Sequence, residues 1–216
     1  MSEKTIYFIR HGETDYNRMR IVQGSGVDTS LNDLGRSQAD AFYQYYANIP
    51  FEAVLTSKLK RTHETVAPFI AQKQLPWEQF GEINEMNWGR HEGQPYDPAM
   101  SRYFSEVMKA WSAGDYHVPF ADGESAWTLA ERMRPFVGHL RERTEKNLLV
   151  CSHGRALRCL LCLLLDLPLS EMQHFSHANT GLYLLHYRGG RFELELKNDT
   201  RHLDAVLELP RTSNAL

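Results

Sequence analysis

Short, wholly apolar runs alternate along the chain with longer stretches whose apolar residues recur at helical spacing. Thr5-Ile6-Tyr7-Phe8-Ile9 reads as a strand buried on both faces. Phe51 to Thr56 and Leu148 to Ser152 read the same way. After the first strand the chain turns polar and is expected to stay irregular to about Leu31. Asn32 is then a good N-cap for a helix carrying Leu34, Gln38, Ala41, Phe42 and Tyr45, which stops before Pro50. Ser57 is placed to cap a helix containing Arg61, His63, Glu64 and Val66, with Pro68 as a kink or interruption. Gly123-Glu124-Ser125 opens a long amphipathic stretch with Trp127, Ala130, Met133, Val137 and Leu140 as its apolar face, bent at Pro135. A helix from Ala156 to about Leu165 follows the third strand, is ended by Leu167-Pro168, and gives way to a short helix near Ser170. The runs Gly181–Tyr187 and Arg191–Leu196 close the pattern as strands, joined through Arg188-Gly189-Gly190 as a hairpin turn. The tail after Asp204 is weakly specified.

This alternation predicts an α/β fold: a three-layer α/β/α arrangement around a mainly parallel sheet, with an antiparallel strand at an edge. Residues from about Leu75 to Phe120 break the rhythm with Pro76, Gly81, Gly89, Gly93, Pro95, Pro98, Gly114 and Pro119. A helix from about Pro98 to Ala113 is expected there, with Tyr103, Phe104, Val107 and Trp111 on one face. The stretch of about 76–122 is therefore read as an insertion, a lid or pocket wall within a single domain spanning 1–216.

Composition narrows the classes. The chain has 216 residues and is 42% hydrophobic, enough for a sizeable core and too apolar for a disordered protein. A net charge of −3 gives no electrostatic case for nucleic acid, so any anion site must be made locally. Three cysteines and no basic-then-apolar leader point to the cytoplasm. The longest apolar run, Cys159 to Leu165, is too short to span a bilayer, and no membrane association is expected.

The candidate chemistry sits at strand ends. Arg10-His11-Gly12 ends the first strand, and His153-Gly154 ends the third in the same setting. Two strand–His–Gly junctions can meet at one sheet edge, where open α/β sheets bind ligands. Arg61, near a helix start, would join them. Two guanidiniums can hold a phosphate, and an imidazole is a competent nucleophile toward phosphorus. Phosphoryl transfer then needs mainly positioning and an acid for the leaving oxygen. Glu85 is a candidate acid if burial beside Trp88 raises its pKa, although Glu82 is an equal candidate on local grounds. Cys159-x-x-Cys162 lies in a Leu-rich helix without a second ligand pair and reads as buried packing. His174 and His177 read as surface or packing residues. No metal site and no nucleotide-binding fingerprint is found.

These residues resemble the histidine phosphatase superfamily, the phosphoglycerate-mutase-like enzymes. The resemblance runs from Thr5 to about Tyr187 through Arg10-His11-Gly12-Glu13-Thr14 with Asn17, Gln23-Gly24, Leu55–Thr65, Glu85, Gly123-Glu124-Ser125 and Val150–Arg158. It implies a phosphohistidine mechanism with no metal or cofactor. By position His11 is then the nucleophile, Arg10, Arg61 and His153 complete the phosphate pocket, and Glu85 is the proton donor. Asn17, Gln23, Gly24 and Gly154 fall at substrate- or phosphate-contacting positions. The chain departs from the family pattern at Ser30, often Pro, at Ala121-Asp122, commonly Pro-Gly, and at Arg155, frequently a second Gly. Asp122 and Arg155 are expected at the pocket rim. A 92–123 segment with only Arg102 and Lys109 as Lys or Arg cations favours a phosphatase over a mutase. The expected substrate is a small phosphorylated metabolite. A phosphoglycerate mutase and a catalytically idle scaffold are the alternatives, and a homodimer is left open.

Overall fold

The computed structural model of the chain describes residues 3–204, so the expectation for the tail lies outside the described residues. Among them, six strands form one sheet: β1 (Lys4–Arg10), β2 (Ala53–Thr56), β3 (Trp77–Gln79), β4 (Asn147–Ser152), β5 (Leu182–Arg188) and β6 (Arg191–Asp199). Their order is β3-β2-β4-β1-β5-β6. The first four run parallel, β5 pairs antiparallel with β1, and β6 pairs antiparallel with β5. Gly189 and Gly190 make the hairpin turn with φ of 56° and 86°, which their missing Cβ allows. The α/β class, the largely parallel sheet and the antiparallel edge are as the sequence pattern predicts.

The helices are α1 (Asp15–Arg18), α2 (Asp33–Tyr46), α3 (Lys60–Lys73), α4 (Pro98–Ser112), α5 (Ala126–Glu142) and α6 (Gly154–Leu164). Strand side chains alternate between two cores. Ile6, Phe8, Leu55 and Val150 pack in one core with Met133 of α5 and Leu160 of α6. Tyr7, Ile9, Val54 and Leu149 pack in the other with Phe42 of α2 and Phe69 of α3. Lys4 ties the sheet to α5. Its buried ammonium donates to the carbonyls of Leu140 (2.8 Å), Arg141 (3.2 Å) and Arg143, which the helix end leaves unpaired. Lys4→Met is expected to cost about 2–3 kcal/mol in urea unfolding, since it strands those carbonyls.

Several details differ from the pattern-based reading. The buried face of α2 is Gly35, Ala39, Phe42 and Tyr46, while Leu34 is 43% and Tyr45 52% exposed. The roll is set by Gly35: a Cβ there would lie 2.0 Å from the Glu13 carbonyl oxygen, so only glycine fits that face against the loop after β1. Ser57 is not an N-cap; α3 starts after Leu59, which makes no side-chain cap bond. Pro68 does not interrupt α3, which continues past it as α5 continues past Pro135, because packing on the sheet outweighs one lost amide donor each. Trp127 is exposed and stacks against His117 at 5.0 Å, and Leu129 and Phe136 take the inner face instead. Two short elements carried no visible period: β3 of three residues, and α1, held by a Thr14–Asn17 capping box. Around them the stretch of about 76–122 contains 3₁₀ turns at Gly81–Ile83 and Gly89–His91 before α4. Helix α4 buries Val107 and Trp111 as expected, with Tyr103 and Phe104 packed at its margin. No helix among the described residues is long and apolar enough to cross a membrane.

Candidate active site

Parallel pairing brings the two His–Gly junctions together. In the β1–β4 register Arg10 lies beside Ser152, and the His11 amide donates to the Ser152 carbonyl at 3.0 Å. Each histidine therefore leaves its strand at the same sheet edge, and the two imidazole centroids lie 5.2 Å apart. The loop that follows His11 is stitched down. The Gly12 amide donates to Thr65 of α3 (2.9 Å) and the Glu13 amide to Gln38 of α2 (2.8 Å).

Hydrogen bonding fixes both tautomers. His11 Nδ1 faces the Gly12 carbonyl at 2.7 Å, and a carbonyl only accepts, so Nδ1 carries the proton and Nε2 keeps its lone pair. His153 is the reverse. Its Nδ1 accepts from the Arg61 Nε–H at 3.1 Å, so Nε2 carries the proton and donates to Ser57 Oγ at 2.8 Å. Ser57 thus orients His153. Burial, reinforced by the charges of Arg61 and Arg10, holds the His11 pKa well below the ordinary imidazole value. Burial and then Arg61 do the same to His153. In NMR of ¹³C-labelled histidine, both rings are expected to stay neutral through pH 6.5 and below. Titration of either near pH 6.5 would contradict the packing described.

The guanidiniums stay charged. Fully buried Arg61 donates to the carbonyls of Val27 (2.6 Å) and Gly24 (3.2 Å) as well as to His153. Burial lowers it to about 10, opposed by the charge of Glu85. Arg10 spends Nη1 on the His177 carbonyl at 3.1 Å, whereas its buried Nε has no hydrogen-bond partner. A buried, unpartnered donor beside two neutral imidazoles is suited to an anion. The Glu85 carboxylate is 8% exposed and sits on the N-terminus of α6. Its Oε1 accepts from the amides of Met86 (2.9 Å) and Ala156 (2.9 Å), and its Oε2 from Arg155 (3.1 Å). Oε2, with one bond, is the oxygen left with capacity to carry a proton.

A cavity of about 190 Å³ opens over this edge, lined by Arg10, Gln23, Glu85 and Gly154 among the expected residues. Gln23 is held at both ends, donating to Thr14 (2.7 Å) and accepting from Thr29 (2.5 Å). Gly24 passes tightly under Glu92, whose Oε1 lies 1.9 Å from where a Cβ would be. Asn17 lies outside the lining of this cavity. Its Oδ1 accepts from the Thr14 amide (3.2 Å), closing the cap of α1. Asp122 is not at the rim either; it accepts from the Arg90 amide at 2.8 Å and braces the Gly89–His91 turn. Cys151, Cys159 and Cys162 are free and buried, as expected.

Two ionisable lining residues lie elsewhere than the sequence suggests. His177, read there as surface or packing, is pushed down to about 2 by burial and by Arg10. Its neighbour Asn179 donates to the His11 carbonyl at 2.9 Å. The signal was topological: the start of an antiparallel strand beside β1 falls at the edge where β1 ends. Arg155 was placed at the rim, but it is 6% exposed and lies inside the cavity lining.

A family model described as the histidine phosphatase superfamily, branch 1, matches residues 6–200. The chain is 34% identical over 174 residues to 6-phosphofructo-2-kinase/fructose-2,6-bisphosphatase 3 of Rattus norvegicus, covering 79% of this chain and 29% of that protein. It thus spans about a third of the length of that relative. A probable phosphoglycerate mutase of Yersinia pestis is 31% identical over 215 residues, covering 95% of this chain and 99% of its own. The crystal structure of a putative α-ribazole-5′-P phosphatase from Escherichia coli superposes with a TM-score of 0.80 at 27% identity, over 91% of this chain and 96% of that one.

Proposed function

The chain belongs to the histidine phosphatase superfamily, and from that premise we propose that it hydrolyses a small phosphomonoester through a phosphohistidine. The observation that carries this is His11 itself: a neutral imidazole with its Nδ1–H tied to the Gly12 carbonyl and Nε2 unprotonated, flanked by Arg10, Arg61 and His153. Nε2 attacks phosphorus, the bond from phosphorus to the ester oxygen breaks, and the Glu85 carboxyl passes a proton to that oxygen. Water then attacks the phosphohistidine, Glu85 takes back a proton, and phosphate leaves. Arg10 and Arg61 spread the charge of the transferring group, and the His153 Nε2–H, held by Ser57 before substrate arrives, turns to one of its oxygens. Gln23, Gly24, Gly154 and, from the α1 cap, Asn17 hold the substrate end of the site. The stretch of about 76–122, which supplies Glu85, Trp88, Tyr96, Met100 and Phe104 to the cavity, acts as its lid within one domain. Three buried free thiols accord with a cytoplasmic setting.

The test is hydrolysis of p-nitrophenyl phosphate with and without EDTA, combined with acid-quench trapping. EDTA-insensitive turnover and an acid-labile phosphate on His11 are expected. Activity that requires a metal sinks the mechanism. The mutase-named relative keeps one alternative in view: rapid interconversion of 2- and 3-phosphoglycerate with bisphosphoglycerate, without phosphate release, would replace hydrolysis by transfer. Glu85→Gln is expected to lower kcat on alkyl phosphates by about 10²–10³-fold. It should lower kcat less on p-nitrophenyl phosphate, whose phenolate departs without a proton. Equal losses on both would remove Glu85 as the acid.

A further inference from the structure

The site holds one more buried cation than the transfer of a phosphoryl group uses. Arg155 follows His153-Gly154 on the first turn of α6, and its main-chain amide anchors Glu85. Its side chain turns into the cavity that Arg10, Glu85 and His177 also line. The guanidinium carbon lies 5.4 Å from the ring centre of Phe104 and 5.9 Å from those of Trp88 and Trp111. Nη1 is buried and has no hydrogen-bond partner. Among the described residues no carboxylate forms an ion pair with it. Burial lowers its pKa to about 9, with Arg158 adding to the fall, so it remains charged at neutral pH. Three aromatic walls keep the planar fork in one place without neutralising it. A desolvated charge with a donor unmet is costly to keep unless an anion arrives.

We propose that Arg155 receives a second anionic group of the substrate, so that the substrate is a small phosphomonoester bearing a carboxylate or a further phosphate. The inference rests on the phosphatase reading above and goes beyond it in naming the substrate class. The scissile phosphate goes to His11, Arg10 and Arg61, and the second anion takes the fork of Arg155 in bidentate fashion. Arg10 and Arg155 line the same cavity, so one small molecule can reach both. The aromatic residues around the fork dry the contact, which sharpens the choice between an anion and a neutral hydroxyl.

Two matched pairs of substrates test this. 3-Phosphoglycerate and glycerol 3-phosphate differ only by a carboxylate against a hydroxymethyl group. Propane-1,3-diol bisphosphate and its monophosphate differ by the second phosphate. Wild-type protein is expected to favour the more anionic member of at least one pair by about 10–100-fold in kcat/KM, the range for a charged hydrogen bond; which pair responds identifies the anion. Arg155→Met is expected to erase most of that ratio, mainly through KM, and Arg155→Lys to restore part of it. If Arg155→Met does not fold, Arg155→Lys carries the test: KM should rise more for the anionic member than for the neutral one. No preference in either pair, or a ratio that survives in a cooperatively folded Arg155→Met protein, overturns the proposal while leaving the phosphatase standing. Failure of wild type to hydrolyse any of these compounds or p-nitrophenyl phosphate overturns both.

Discussion

Replacing His11 by asparagine is expected to lower phosphatase turnover by about 10⁴-fold or more while the protein stays folded. Asparagine can still present an N–H toward the Gly12 carbonyl, so the loop keeps the bond that His11 Nδ1 makes. The loop's other ties, from Gly12 to Thr65 and from Asn179 to the residue-11 carbonyl, involve main-chain atoms and are untouched. What disappears is the lone pair on Nε2. Arg10, Arg61 and His153 would still bind phosphate, so inorganic phosphate should retain measurable affinity although no phosphoenzyme forms. Turnover within tenfold of wild type, or an acid-labile phosphoenzyme in His11→Asn, would remove His11 from the chemistry.

The second large effect is on stability in acid. His11, His153 and His202 are buried and His177 is half-buried, and all four have lowered pKa values, His177 to about 2 and His202 to about 4. Burial is the first cause in each case. His202 packs edge-on against Phe42 at 5.1 Å and shares a hydrogen bond with Thr180. In the unfolded chain each ring takes a proton near pH 6.5. The folded protein holds them neutral until the pH falls much lower. Protonation therefore favours the unfolded state below pH 6.5, and stability falls as pH falls toward the folded values. With four such groups the contribution to the slope approaches about 5 kcal/mol per pH unit between pH 6 and 4.5. Above about pH 8 these groups contribute almost no slope. Urea unfolding at half-unit pH steps should show a steep loss starting near pH 6.5, reduced in His202→Phe. A flat profile down to pH 4.5 would contradict the four rings being held neutral in the fold.

The sequence made the centre of the site legible because its signals are local and repeated. Residues 5–9 and 148–152 are apolar throughout, as strands covered on both faces must be, and each ends in His-Gly. Once the two are parallel neighbours, one register places His11 beside His153. Arg61 follows from its place in the first turn of α3. What the sequence hid depends on contacts between distant segments. The roll of α2 is dictated by a glycine against the Glu13 carbonyl, not by its large apolar residues. Ser57 looks like a cap, yet it orients the ring of His153. His177 acquires its place only because β5 runs against β1. Arg155 was visible as a departure from the family pattern, but its burial among three rings from α4 and the preceding loop was not.

The contact between the loop after β1 and the start of α2 has a consequence for engineering. A Cβ on Gly12 would lie 2.6 Å from the Gly35 carbonyl oxygen, and one on Gly35 still closer to Glu13, so main chain rests directly on main chain. Such a joint has no adjustable part. A graft or insertion that shifts α2 by a fraction of an ångström would misaim the imidazole before the sheet lost any of its order, so directed evolution here should treat the first turn of α2 as part of the reaction centre.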